Sequence, residues 1–219
     1  MKNGISLKRL AVYTIGMLIL AVGLTLTAQS GLGTSPLTSI AYVLGKCVQI
    51  PFSDATLIMF SLFVLVQIFL EKEKSPLNIG KLLLQIPLSI LFTRVMGLIQ
   101  KWVVLTDVSV LLRIAVLLVA IILTGIGAAM TIQTNLIPNP GDGIVKALAA
   151  TVKKPLGRVK NIFDIGNVAV AVLISFAVLG CLEGVGIGSA IAMLGVGRVI
   201  ALYNWLINPS DRLKKESGK

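Results

Sequence analysis

Histidine is absent from the sequence, cysteine occurs twice, and acidic residues number 9 against 20 Lys and Arg. Without imidazole there is no Ser-His triad, no His acid/base pair and no His-ligated metal. Cys47 and Cys181 are too few for a disulfide framework or a thiolate metal site. No cofactor or metal is expected, and no nucleophile-base pair or ligand cluster points to an enzyme. Charged residues make up only 13% of the 219 positions and aromatics 5%, where a soluble domain carries about a quarter charged.

Apolar residues fill the difference, at 56% of the chain with a mean hydropathy of +0.94. A hydrocarbon core about 30 Å thick takes roughly 20 apolar residues per helix, so the chain has room for about six spans and none for a soluble catalytic domain. The net charge of +11 is spread between apolar stretches rather than gathered on one soluble face. The expected partner is therefore the lipid bilayer, and nucleic acid is not expected. Lys2, Lys8 and Arg9 ahead of an apolar run resemble a signal peptide, but the run from Leu10 to Ala28 outlasts a signal h-region and is followed by AQSGLG rather than an A-x-A site. It reads as an uncleaved first span.

Stretches long enough to cross lie at 10–29, 54–70, 82–100, 108–130, 161–180 and 185–207, while 35–47 and 140–152 are too short. The distribution of Lys and Arg supports this division. With six crossings and a cytoplasmic N-terminus, the inner side receives Lys2, Lys8, Arg9, Lys72, Lys74, Lys81, Lys153, Lys154, Arg158, Lys160 and the basic tail at 208–219, which is most of the 20 basic residues. If the short segments also crossed, the 72–81 loop would move outside. The predicted fold is all-α membrane, with six transmembrane helices plus two short re-entrant half-helices.

Sliding the chain on itself by 104 positions, the separation of Thr27 and Thr131, aligns GLTLTAQSGLGTSP from Gly23 with GAAMTIQTNLIPNP from Gly127. The same register pairs Gln29 with Gln133, Pro36 with Pro140, Arg9 with Arg113, Pro51 with Pro155 and Arg94 with Arg198. Chance similarity between apolar segments pairs Leu with Val; it does not pair Gln, Pro and Arg in one register. Residues 1–104 and 105–207 therefore read as two repeats. Each makes an odd number of crossings, so the second enters from the opposite side, the inverted-repeat signature of many secondary transporters.

The repeated element T-x-Q-[ST]-x-L-x-x-[SN]-P sets polar groups and a proline between a full span and a half-helix. Pro36 and Pro140 suit a first helical turn, with Ser35 and Asn139 as N-caps. Two such N-termini directed at the midplane would make a positively polarised site, with Thr27, Gln29, Thr131 and Gln133 either binding a substrate or satisfying freed backbone groups. Arg94 and Arg198 lie well inside their spans, where Arg is costly. They are candidates for holding an anion, for bracing the two halves, or for snorkelling. Asp142 falls in the first turn of the second half-helix and Asp164 in the fifth span, near Asn161 and Asn167. Each Asp has a Lys four positions away, Lys146 and Lys160, so the two readings are a plain dipole or i,i+4 role and a proton or cation coupling role.

The run SGLGTSPLTSIAYVLG from Ser30, with the apolar span before it, resembles the YczE/YyaS/YitT group of bacterial integral membrane proteins. Where that pattern continues the Ser-Pro with an aromatic residue and an Asp, this chain has Leu37 and Thr38, and its second copy carries Asp142. The resemblance implies a bacterial inner-membrane protein and supplies no substrate; the distribution of Lys and Arg predicts that both termini are cytoplasmic. The residues favour a small transporter of an anionic or zwitterionic molecule, with Thr27, Gln29, Ser35, Arg94, Thr131, Gln133, Asn139, Asp142 and Arg198 as its site. The alternatives are the substrate-binding subunit of an energy-coupled vitamin importer, and a channel or accessory protein. A homodimer or partner subunits are left open.

Overall fold

The computed structural model describes residues 6–105 and 108–207; Lys2 and the tail at 208–219 lie outside the described residues. Among the described residues, six helical segments are long and apolar enough to cross a membrane. They are α1 (Leu7–Gln29), α3 (Phe52–Leu70), the pair α4 (Pro76–Leu83) and α5 (Gln85–Trp102), α6 (Val110–Thr134), α8 (Leu156–Ile174, continued by a π turn over Ser175–Leu179) and α9 (Ile187–Ile207). Two short helices stand between them, α2 (Ser39–Val48), entered through a tight turn over Pro36–Thr38, and α7 (Pro140–Val152). The chain is a multi-span helical membrane protein. Its exposed Leu62, Phe69, Leu173 and Leu194 are surfaces for lipid rather than for water.

The third span starts earlier than its apolar run. Ser75 caps α4 by accepting from the Asn78 N–H, and Pro76 occupies the first helical position. The polar first turn is therefore helical although hydropathy alone begins near residue 82.

Both half-helices end alike. Gln49 and Lys153, 104 positions apart, adopt left-handed backbone at φ 60° and 52°, and each is followed by a proline, Pro51 or Pro155, that precedes the next span. A left-handed residue closes a helix and the proline blocks its continuation, so the chain turns back after a half-depth helix instead of crossing.

Close packing of α1 on α6 forms the centre. Gly16 meets Met130 and Thr131, Gly127 meets Leu20, and Gly23 meets Thr124, so the two helices run antiparallel. The Arg9 guanidinium at the start of α1 donates to the Thr134 carbonyl at the end of α6, 2.6 Å away. At the other end, the Arg113 Nη1 would stand 3.3 Å from a Cβ on Gly31. Helix α5 flanks α1, and α9 flanks α6 through Gly125 against Val199 and Gly195 against Ile121. Helices α3 and α8 hold both half-helices between them.

One difference breaks the correspondence. Helix α3 packs along α5, but 104 positions later α8 and α9 do not pack along one another.

Candidate functional site

The two half-helices point their N-termini at one place. Pro36 and Pro140 each open a helix from an extended residue, Ser35 at ψ 139° and Asn139 at ψ 140°. Leu37 packs on Gly141 so closely that a Cβ there would stand 2.5 Å from its Cδ2. The Asn139 Oδ1 accepts from the Gly141 N–H at 2.9 Å, as an N-cap should. Ser35 holds the matching position, but its hydroxyl makes no capping bond.

Beside this junction lies a cavity of about 290 Å³, walled by α1 and α6 on one side, α7 and α8 on another and α9 on the third. Its polar surface comes from Ser35 and Asn139, from Asp142 and Lys146 of α7, and from Lys160, Asn161 and Asp164 of α8. Leu20, Leu24, Val196 and Ile200 supply apolar wall. A smaller space of about 140 Å³, lined by Thr131, Asn135, Asn139, Asp142 and Lys146 among others, adjoins it on the side where α6 ends.

The charges in the cavity are not equivalent. Lys160 Nζ pairs with Asp164 Oδ2 at 3.3 Å across one helical turn. Asp164 is only 8% exposed, and its Oδ1 has no hydrogen-bond partner among the described residues; nor do the buried Thr124 Oγ1 and Asn167 Nδ2. Buried polar atoms at native sites are normally satisfied, and two of these orphans, on Thr124 and Asp164, belong to residues that line the cavity, where water or a ligand supplies the missing partner. Asp142 and Lys146 share a face of α7 four residues apart, yet neither forms an ion pair among the described residues. One negative and one positive charge are thus presented to the cavity unspent.

Of the residues singled out in the sequence, Ser35, Asn139 and Asp142 meet at this cavity, and Thr131 lines the adjoining space while donating to the Ala128 carbonyl. The others lie elsewhere. Thr27 donates to the Gly23 carbonyl within its own helix. Gln29 donates to the carbonyls of Gln100 and Val103, at 3.1 and 2.8 Å, and Gln133 donates to the Asn204 side chain at 2.9 Å. Because α1 and α6 are antiparallel, these two glutamines sit at opposite ends of the pair, about 30 Å apart at 1.5 Å per residue along α1. They do not converge near the midplane. Arg94 pairs with Asp54 at 3.4 Å on an exposed flank, and Arg198 is exposed on α9; neither lines the cavity.

Lys146, Lys160 and Asp164 complete the arrangement without being part of the expected site. Their signal was visible as two Asp–Lys pairs at i,i+4, but that spacing is equally common on solvated helix faces. Only the folding of α7 against α8 turns the two pairs toward one space. Cys47 and Cys181 are both free thiols.

No solved structure matches the chain. The uncharacterized protein YyaS of Bacillus subtilis (strain 168) is 26% identical over 149 residues, covering 66% of this chain and 70% of that protein, in keeping with the resemblance carried by the Gly-Thr-Ser-Pro element. The model of a family of unknown function, DUF6198, matches residues 7–205, nearly every span and both half-helices, and the chain belongs to that family.

Proposed function

We propose that this protein is a small carrier of the bacterial inner membrane that moves a zwitterionic or anionic small molecule through a site between two inverted repeats. The observation that carries the reading is the meeting of both half-helix N-termini at a cavity holding the unpaired Asp142 and Lys146 and the Lys160–Asp164 pair. Helix N-termini favour the anionic end of such a molecule. Asp142 supplies a counter-charge for its cationic end. A cavity of about 290 Å³ lies at the small end of ligand pockets. The antiparallel α1–α6 pair, and the matching turns at Gln49 and Lys153, support inverted repeats as the source of the architecture. In this reading both termini are cytoplasmic, the cavity faces the cytoplasm, and Asp164 is the group placed to carry a coupling proton.

A second reading, the substrate-binding subunit of a larger importer, is favoured by one asymmetry. The positions 104 residues before Asp164, Val196 and Ile200 are Phe60, Phe92 and Met96, all fully buried in the core. The corresponding space in the first half, lined by Phe60 and Phe92, shrinks to about 10 Å³, and a one-sided site suits a receptor as well as a carrier.

Reconstitution separates the two. In proteoliposomes containing this chain alone, a carrier accumulates or exchanges a labelled zwitterion identified by thermal-shift screening, and Asp142→Asn and Asp164→Asn abolish it. Ligand-dependent stabilisation with no flux by the isolated chain selects the subunit reading. Absence of any ligand effect in wild type, together with unchanged behaviour in both variants, rejects a binding role for the cavity.

A further inference from the structure

The cavity is open on one side, between α8 and α9. The two helices do not pack along one another, and the glycines that face the cavity from each, Gly157 and Gly197, have nothing within 4 Å of where a Cβ would stand. Asn161, also on this margin, is exposed where the basic start of α8, with Arg158 and Lys160, gives way to exposed Ile162 and Ile165. In the first half the same position is closed, with α3 against α5 and the Phe60 and Phe92 rings 5.9 Å apart. A polar cavity opening sideways between two membrane-spanning helices, near the basic start of α8, gives a charged chamber an exit toward lipid.

Volume limits what can occupy it. At the roughly 30 Å³ that a water molecule takes up in the liquid, 290 Å³ holds about ten non-hydrogen atoms. That is about the size of a head group, and the open side past Met193, Val196 and Gly197 is the way out for an attached alkyl chain. Of the four charges in the chamber, Lys160 and Asp164 neutralise each other. Asp142 and Lys146 remain, one of each sign.

From these observations we infer that the substrate is a single-chain zwitterionic amphiphile taken from the bilayer, with its ammonium at Asp142, its anionic group at Lys146 and the half-helix N-termini, and its chain between α8 and α9. This deepens the carrier reading and rests on the same cavity.

The test uses the full-length protein in phosphatidylcholine nanodiscs with three probes: lysophosphatidylethanolamine, lysophosphatidylglycerol with the same chain but no ammonium, and phosphoethanolamine with no chain. The lysophosphatidylethanolamine, supplied within the nanodisc bilayer, is expected to bind at least about tenfold more tightly than either comparator. Asp142→Asn should narrow the preference over lysophosphatidylglycerol. Gly197→Trp, placed where a side chain meets open space, should weaken the chain-bearing probes by about tenfold and leave phosphoethanolamine unaffected. Equal binding of phosphoethanolamine and lysophosphatidylethanolamine, with Gly197→Trp silent, overturns the chain slot while the cavity stands as the site of a small zwitterion. Equal binding of the two lysolipids overturns the ammonium assignment to Asp142. Failure of all three probes to bind, with Asp164→Asn also silent in the small-molecule screen, removes the amphiphile and the carrier reading together.

Discussion

The Gln67 and Gln85 side chains bond each other twice: the Gln67 Nε2 donates to the Gln85 Oε1 at 3.2 Å, and the Gln85 Nε2 donates back to the Gln67 Oε1 at 3.0 Å. Both are at most 2% exposed, and Gln67 also donates to the Pro140 carbonyl at the start of α7. This amide pair ties α3 to the start of α5 and anchors the second half-helix beside the cavity.

Gln67→Leu should lower stability by about 1–3 kcal/mol, because it leaves the Gln85 amide buried without its partner. Adding Gln85→Leu should recover part of that loss, since removing both partners deletes the unmet demand. Thermal unfolding of the four species of the cycle in detergent measures the coupling. Strict additivity would show that the two amides do not act as a unit.

Arg9→Gln should destabilise the fold by about 1–2 kcal/mol, through loss of a cation and a charged hydrogen bond at the C-terminus of α6. Ligand affinity at the cavity should hold, because Arg9 does not line it. A binding defect without a fall in melting temperature would contradict the bracing role.

Gly127→Ala should be far worse than Gly157→Ala. A Cβ at Gly127 collides with the Leu20 backbone, whereas one at Gly157 meets nothing within 4 Å. Overpacking of this kind costs about 1–3 kcal/mol, while an unobstructed Gly→Ala change in a helix is neutral or favourable. Comparable melting temperatures for the two variants would mean that α1 and α6 are not as closely packed as described.

Arg94→Gln and Arg198→Gln should leave ligand affinity unchanged, since both side chains lie off the cavity. Arg94→Gln breaks an ion pair whose side chains are 66% and 42% exposed, and such pairs contribute little. A loss of affinity in either variant would return these arginines to the binding site.

Ser75→Cys, in a background with Cys47 and Cys181 replaced by Ala, should react with an impermeant thiol reagent only after the cells are permeabilised. The lysines at 72, 74 and 81 favour a cytoplasmic loop under the positive-inside rule, as in the proposed orientation. Strong labelling in intact cells would invert the topology and move the cavity to the outer face.

The spans were legible because lipid demands a continuous apolar run, and six such runs, with Lys in all but the last of the loops between them, leave little freedom. The half-helices were legible too, from Ser35–Pro36 and Asn139–Pro140 ahead of segments too short to cross. The glutamines were not. Gln29 and Gln133 carry the same chemistry whether they face a substrate or a neighbouring helix end, and the choice depends on Gln100, Val103 and Asn204, whose proximity no local pattern encodes. Asp164 was visible as an acid in the fifth span, but its burial and its place opposite Asp142 and Lys146 follow from how α7 lies on α8. The repeat register predicts equivalent positions, and the site formed where the two halves differ, with Phe60 in one and Asp164 in the other.

The α1–α6 contact also bears on biosynthesis. Helix α1 leaves the ribosome first, yet the surface that covers Gly16 and Gly23 belongs to the fourth span. Until that span is made, the glycine face of α1 has only lipid against it, and the Arg9 side chain lacks the Thr134 carbonyl. Shielding of that face by insertion machinery would matter most during this interval, and a chain stopped before residue 110 would hold its first three spans without their central partner. The protein acquires its core only when its second half arrives.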